Sequence, residues 1–116
     1  MSESPLGNAR DLASIIADLA GTIDARAGAD PKTSYTAKLL SKGSLHCGKK
    51  IAEEGAELAL ALAAEGKRES ASEAADLLYH MLVGLRSKGV KLNDVAAALR
   101  KRQGTSGLDE KAARKS

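Results

Sequence analysis

The sequence predicts an all-α fold, and three observations on its residue pattern support this prediction. Apolar residues recur at the spacing of one helix face in nearly every segment outside the linkers, and no segment alternates as a half-buried strand does. Glycines and capping side chains divide the chain into segments of helical length. The 116 residues suit one domain, and aromatic residues make up only 2%, so the predicted helical bundle has an aliphatic core.

The first predicted helix begins at Ala9 and ends before Gly28, where a glycine and a following proline stop it. Its apolar residues follow the i, i+3, i+4, i+7, i+11 pattern of a single helix face. These residues are Leu12, Ile15, Ile16, Leu19 and Ile23.

Two further helices are predicted on either side of Gly43. Ser34 is expected to cap a short helix that continues to Leu40, because a serine side chain satisfies the free backbone N–H groups of the first turn. Ser44 is expected to cap a longer helix in the same way, and that helix ends near Glu65. Gly43 supplies the stop between them.

The last two predicted helices are separated by Gly89. One runs from about Arg68 to Lys88, and the other from Leu92 to Arg102. The first of them has a broad apolar face that predicts packing against a neighbouring helix. This face consists of Ala74, Leu77, Leu78, Met81, Leu82 and Leu85.

The domain organisation predicted from this pattern is simple. Residues 1–8 are expected to be a disordered N-terminus, residues 9–104 a single helical domain, and residues 105–116 a basic C-terminal tail. An aliphatic core of this size is modest, and association of chains would supply further burial. We therefore expect a homodimer or a higher homo-oligomer.

Charge and cysteine content narrow the class of function and the compartment. The formal net charge is +3, but a single-strand nucleic-acid binder would carry aromatic stacking platforms that this chain lacks, so nucleic acid is not the expected partner. The single cysteine, Cys47, excludes a disulfide within the chain and favours a reducing compartment.

The polar N-terminus does not resemble a secretory signal, and no apolar run approaches the roughly 20 residues that span a bilayer. We expect a cytoplasmic protein without a membrane segment.

Two acidic pairs carry most of the functional information. Glu54 and Glu57 form one pair, Glu73 and Asp76 the other, and each pair has the i, i+3 spacing that places both carboxylates on one helix face. Like charges at this spacing repel each other and weaken a helix. Oxygen ligands are what Mg²⁺ and Mn²⁺ prefer, so the pairs predict a site for Mg²⁺, with Mn²⁺ as an alternative.

The short connection at Gly66 and Lys67 predicts that the two acidic helices pack side by side and antiparallel, with the four carboxylates facing one another. Such a group of charges would bind one or more cations or take up protons. Bound Mg²⁺ ions would hold a polyphosphate and lower the pKa of an attacking water. Glu53, next to the first pair, is the candidate catalytic base that accepts the proton of that water.

Simpler interpretations remain open at this stage. A single Glu-x-x-Glu pair usually lies on a solvated face, but Asp76 lies within an otherwise apolar stretch, where an acid needs a partner or a function. His80 shares the face of Asp76, and it either orients a phosphate or is an ordinary helix histidine. Lys50, one turn before the acids, either holds a phosphate or pairs with Glu53 and Glu54.

Four segments resemble motifs of the phosphoribosyl-ATP pyrophosphohydrolase family, in the family's order, across about the last four-fifths of the chain. They are SYTAKLL at 34–40, KIAEEGAE at 50–57, EAADLLYH at 73–80 and RQGTSG at 102–107. Four motifs in the right order make the resemblance specific. Gly55 departs from the alanine that the family tends to carry, which leaves room for a diverged paralogue.

The resemblance implies a helical bundle of the MazG-like nucleotide pyrophosphohydrolase type, completed by dimerisation. It implies Mg²⁺-dependent hydrolysis of phosphoribosyl-ATP to phosphoribosyl-AMP and pyrophosphate, the second step of histidine biosynthesis. The superfamily's metal-binding acids would fall on Glu54, Glu57, Glu73 and Asp76, with Glu53 as a base or an additional ligand.

The candidate substrate contacts lie around these acids and in the flanking motifs. The resemblance places phosphate and ribose contacts near Lys38 and in the closing motif, and the spacing adds two residues close to the acids. The full set is Lys38, Lys50, His80, Arg102 and Ser106. Two alternatives stay open: a house-cleaning nucleoside triphosphate pyrophosphohydrolase, and a non-catalytic helical binding module.

Overall fold

The protein is described by a computed structural model over residues 5–103, which form five helices and contain no strand in that range. This confirms the all-α class. Residues 1–4 and 104–116 lie outside the described part, so the predicted disorder of the N-terminus and the predicted basic tail are not tested. The helices are α1 (Ala9–Arg26), α2 (Tyr35–Ser41), α3 (Ser44–Ala64), α4 (Lys67–Lys88) and α5 (Leu92–Arg102).

The start of α2 confirms one predicted cap, and the start of α3 shows that the other was wrong. The side-chain oxygen of Ser34 accepts a hydrogen bond from the backbone N–H of Ala37 at 3.1 Å. Ser44, in contrast, is already the first helical residue, and Gly43 precedes α3 without a side-chain cap. Gly43 has a φ of 88°, a backbone conformation that suits glycine, and it turns the chain directly from α2 into α3.

The end of α4 has the glycine stop that the sequence predicted. Gly89 lies in the left-handed region with a φ of 76°. Its backbone N–H donates to the carbonyl of Arg86 at 3.1 Å, and the N–H of Val90 donates to the carbonyl of Leu85 at 2.9 Å. These bonds satisfy carbonyl groups that the end of a helix would otherwise leave without partners.

Helices α3 and α4 pack against each other along their length and run antiparallel. Near one end of the pair, Gly84 lies against Cys47 and Ile51, so closely that a Cβ atom at Gly84 would be 2.8 Å from Cδ1 of Ile51. Near the other end, Glu57 approaches Glu73. Residues that follow each other in α3 therefore meet residues in reverse order in α4, as the short connection predicted.

The hydrophobic core lies at the Gly84 end of this pair, where α1, α2 and α5 also pack. Its buried members come from four helices: Ile23, Leu39, Cys47, Leu82 and Val83. Partly buried side chains surround them: Ile16, Leu19, Leu40, Tyr79 and Leu92. The acidic residues lie further along the pair, between this core and the completely buried Ala61.

Several large apolar side chains remain exposed in the single chain. On α3, Leu45 is 90% exposed, Leu62 68% and Leu60 64%, and on α1 the exposed fraction of Ile15 is 61%. The N-terminal half of α1 has only exposed residues from Ala9 to Ile15. Among the described residues, no helix combines the length and the apolar composition that a bilayer crossing requires.

Candidate functional site

The antiparallel packing of α3 and α4 gathers three predicted acids at one point. One side-chain oxygen from each of Glu54, Glu57 and Glu73 lies within 4.8 Å of the other two. Glu54 and Glu57 come from successive positions on one face of α3, and Glu73 comes from the facing surface of α4. We call these three residues the acidic cluster.

The acidic cluster is partly removed from solvent. The Oε2 atoms of Glu54 and Glu73 are buried and have no hydrogen-bond partner among the described residues. Burial raises the pKa of Glu54, and the carboxyl contact with Glu57 and the charge of Glu57 raise it further. The same causes, in the same order, raise the pKa of Glu73. Buried oxygens without partners, surrounded by like charge, fit a positively charged hard ligand.

Asp76 lies next to the acidic cluster but outside it. Its side chain is exposed, and it does not belong to the group of oxygens within 4.8 Å. It comes three residues after Glu73 and therefore lies on the same face of α4, and its charge contributes to the raised pKa of both Glu54 and Glu73. The predicted set of four acids is therefore a tight group of three with Asp76 beside it.

Glu53 and Lys50 form a pair on the same helix. The Nζ atom of Lys50 lies 3.3 Å from Oε2 of Glu53, an i, i+3 contact in which both side chains are partly exposed. This hydrogen bond, followed by the charges of Tyr35 and Glu53, raises the pKa of Lys50. Of the two roles left open for Lys50, the structure shows the pairing with Glu53 and leaves the phosphate contact untested.

His80 is a buried residue whose two ring nitrogens both have partners. Nδ1 lies 2.8 Å from the backbone carbonyl of Asp76, and Nε2 lies 3.2 Å from the hydroxyl of Tyr35. A carbonyl only accepts, so Nδ1 donates, and in the neutral ring Nε2 accepts the Tyr35 hydroxyl proton. Because the carbonyl that accepts from Nδ1 belongs to Asp76, the ring lies on α4 beside the residue that adjoins the acidic cluster.

Tyr35 was not among the candidate residues predicted from the sequence. Its ring centroid lies 6.3 Å from that of Tyr79, with 19° between the two planes, and 6.0 Å from that of His80. Tyr79 is held in turn by a hydrogen bond of 2.5 Å between its hydroxyl and that of Thr36. A signal was available, because the chain has only two tyrosines and neither Phe nor Trp, and both tyrosines lie in the motifs quoted above.

The remaining predicted substrate contacts are spread more widely. Lys38 is exposed and lines an open depression of about 590 Å³, together with Tyr35 and the residues of the preceding loop. Arg102 is the last residue of α5 and is exposed. Ser106 lies outside the described residues. Apart from these, a cavity of about 440 Å³ lies between α1, α4 and the start of α5, and no member of the acidic cluster lines it.

The fold and the site together define a class: a small all-α protein in which two antiparallel helices hold a carboxylate cluster suited to a divalent cation. Residues 16–103 match the family described as Phosphoribosyl-ATP pyrophosphohydrolase. The chain belongs to this family, and the resemblance inferred from the four sequence motifs is confirmed.

Individual relatives agree with this assignment. The chain is 53% identical over 98 residues to Phosphoribosyl-ATP pyrophosphatase 1 of Rhodopseudomonas palustris. The aligned region covers 84% of this chain and 92% of that protein. It is 54% identical over 100 residues to Phosphoribosyl-ATP pyrophosphatase 1 of Bradyrhizobium diazoefficiens, covering 86% of this chain and 94% of the relative. It is also 54% identical over 91 residues to the Histidine biosynthesis bifunctional protein HisIE of Wolinella succinogenes, covering 78% of this chain but 40% of that longer protein.

Proposed function

We propose that this chain hydrolyses phosphoribosyl-ATP to phosphoribosyl-AMP and pyrophosphate, the second step of histidine biosynthesis, with Mg²⁺ held by the acidic cluster. Membership of the family and the names of relatives about half identical to the chain support the reaction. The observation that carries the site is the pair of buried oxygens on Glu54 and Glu73, which lack partners among the described residues and face Glu57.

The donor set fits Mg²⁺ or Mn²⁺. Glu54, Glu57 and Glu73 offer carboxylate oxygens alone, which is the ligand type that hard cations prefer. Asp76 adds a fourth negative charge beside them and is the remaining proposed ligand. When bound, a divalent cation supplies stabilisation of the negative charge that develops on phosphoryl oxygens.

The other residues have roles that follow from where they lie. Glu53 is the proposed base that accepts a proton from the attacking water, and its hydrogen bond to Lys50 orients its carboxylate. Lys50 also brings positive charge close to the acids, where the polyphosphate must lie. Lys38 and Arg102 are the proposed contacts for more distant phosphates. His80 remains a proposed substrate contact, and its ring is oriented by the hydroxyl of Tyr35 and the carbonyl of Asp76.

The reaction is tested directly with purified protein, phosphoribosyl-ATP and Mg²⁺. We expect pyrophosphate and phosphoribosyl-AMP in equal amounts, and we expect a chelator to stop their release. Folding is checked by the helical circular dichroism signal. Release of inorganic phosphate in place of pyrophosphate, or no turnover by a fully helical sample, would contradict the proposal. Faster turnover of other nucleoside triphosphates would favour the house-cleaning alternative.

The role of Glu53 is separable from that of the acidic cluster. Replacing a general base typically costs 10²–10⁴-fold in rate, so Glu53→Gln is expected to lower kcat by roughly that factor. Calorimetric binding of Mn²⁺ should be unchanged in Glu53→Gln and weakened in the matched variant Glu54→Gln. A Glu53→Gln enzyme with normal kcat would remove Glu53 from the mechanism.

Homo-oligomerisation and a cytoplasmic location are further parts of the proposal. The exposed leucines of α3, Leu45, Leu60 and Leu62, support association, because several large apolar side chains on one helix are costly to leave in water. The single buried cysteine supports a reducing compartment. Sedimentation at several concentrations should give a mass of at least twice 12.0 kDa, and a 12.0 kDa species throughout would contradict oligomerisation.

A further inference from the structure

We propose that the Tyr35 ring is a stacking surface for the purine base of the substrate. The inference rests on the proposed function for the identity of the substrate, and it adds a base-binding subsite to the acidic cluster. Tyr35 is 52% exposed, an unusual position for one of only two tyrosines in a chain without Phe or Trp. A flat aromatic face in water suits a nucleobase, since every base presents a π-face.

The ring is held rigidly although half of it is exposed. Its plane stacks on Tyr79 in an offset arrangement, within the centroid distance that aromatic pairs favour. Its hydroxyl is bound to Nε2 of His80, and His80 is itself fixed by the carbonyl of Asp76. A ring that is already fixed loses little conformational entropy when a ligand stacks on it.

The position of Tyr35 connects the base to the chemistry. Its hydroxyl contacts Nε2 of His80, and Nδ1 of His80 contacts the carbonyl of Asp76, the residue beside the acidic cluster. Tyr35 also lines the open depression of about 590 Å³ together with Lys32 and Lys38. A base on this ring would therefore have the ammonium groups of Lys32 and Lys38 nearby for anionic substituents, and His80 connects the ring to the helix that carries Glu73.

The first test uses the tyrosine ring protons as reporters. With two tyrosines in the chain, the ring resonances are assigned from Tyr35→Phe and Tyr79→Phe spectra. AMP, titrated to saturation, is expected to move the Tyr35 resonances by the ring current of the base, whereas ribose 5-phosphate, which lacks a base, should leave them in place. Equal shifts with both ligands, or none with AMP, would overturn the inference.

The second test separates binding from catalysis. Tyr35→Leu removes the aromatic face and is expected to raise KM by roughly 5- to 150-fold, the equivalent of one base–aromatic stack, with kcat changed much less. Tyr35→Phe keeps the ring and loses only the bond to His80, so it should restore most of the affinity. A loss of kcat at unchanged KM in Tyr35→Leu would mean a structural role and would overturn the inference.

The outcomes also distinguish this inference from the proposed reaction. If AMP shifts the Tyr35 resonances but the protein does not hydrolyse phosphoribosyl-ATP, the base subsite stands and the reaction fails. If hydrolysis occurs and AMP leaves Tyr35 unaffected, the reaction stands and the subsite fails. If Tyr35→Leu instead changes the sedimenting mass and AMP has no effect, a second copy of the chain covers the ring and the inference is overturned.

Discussion

The two ends of the α3–α4 pair bury opposite kinds of side chain: one end buries apolar groups, and the other buries carboxylates. At one end, Gly84 lets Ile51 and Cys47 approach closely, and Val83 is completely buried. At the other end, Glu54 and Glu73 each bury a side-chain oxygen that has no hydrogen-bond partner within residues 5–103. One carboxylate oxygen from each of Glu54, Glu57 and Glu73 lies within 4.8 Å of the other two. The first end stabilises the fold by removing apolar surface from water, and the second end costs stability because like charges are desolvated together. The comparison indicates that the acidic end is retained for function.

The sharpest way to break this comparison is Glu73→Gln. We expect kcat/KM to fall by more than roughly 100-fold, because even partners that only orient metal ligands change affinity or activity by 10–100-fold. The free energy of unfolding without divalent cations should rise, because one of the repelling charges is removed. Enzyme assays and urea unfolding in chelator measure the two effects.

Glu69→Gln is the matched control for this variant. Glu69 lies one turn earlier on α4, is exposed and is outside the acidic cluster, so the same substitution there should leave kcat/KM unchanged. Its charge lies in the first turn and stabilises the helix N-terminus, so Glu69→Gln should lower the free energy of unfolding slightly, by up to about 1 kcal/mol, where Glu73→Gln raises it. A Glu73→Gln protein that is less stable than the wild type in chelator would contradict the view that the acidic end is a site of repulsion.

At the core end, Val83→Ala is expected to lower stability and to leave activity nearly unchanged, the reverse of Glu73→Gln. Val83 is 0% exposed, and loss of its two methyl groups together with the cavity they leave should cost about 2 kcal/mol of unfolding free energy. Activity per folded molecule should stay close to normal. Urea unfolding is compared with Val95→Ala on α5, where the half-buried side chain should cost less. Equal losses at the two positions would mean that Val83 is not central to the core.

The pH dependence of the unfolding free energy tests the same comparison, and we expect it to give the smallest of these effects. Glutamate has an ordinary pKa of 4.5, and the pKa values of Glu54 and Glu73 are raised in the folded chain. The folded state therefore holds protons that the unfolded state releases. The stability contributed by these protons is complete below pH 4.5 and is lost as the pH rises through the folded pKa values.

In chelator, we therefore expect the free energy of unfolding of the wild type to decline from pH 4.5 towards neutrality. The free energy of unfolding of Glu54→Gln should decline less over the same range. Saturating Mg²⁺ should oppose the decline, because a cation that binds only the folded state stabilises it and competes with protons. Thermal melts across this pH range measure both slopes. Identical slopes for the wild type and Glu54→Gln would contradict the assigned shift.

The sequence predicted features set by local spacing and missed those set by tertiary contacts. The i, i+3 spacing of Glu54 and Glu57 was sufficient to place them on one helix face, and the short connection before α4 brought Glu73 opposite them. The Ser34 cap was predictable because the preceding loop ends there, whereas Ser44 was misassigned because Gly43 makes the turn. No local signal joined Tyr35 to His80, which is 45 residues later in the chain.

The single cysteine gives the molecule an internal reporter. Cys47 is only 2% exposed, and its thiol donates a hydrogen bond from Sγ to the carbonyl of Leu39 at 3.4 Å. A thiol-modifying reagent can reach this sulfur only when the packing of α3 against its neighbours opens, so the labelling rate measures how often the core opens. Comparing this rate with and without Mg²⁺ shows whether a cation bound by the acidic cluster also stabilises the packing around Cys47.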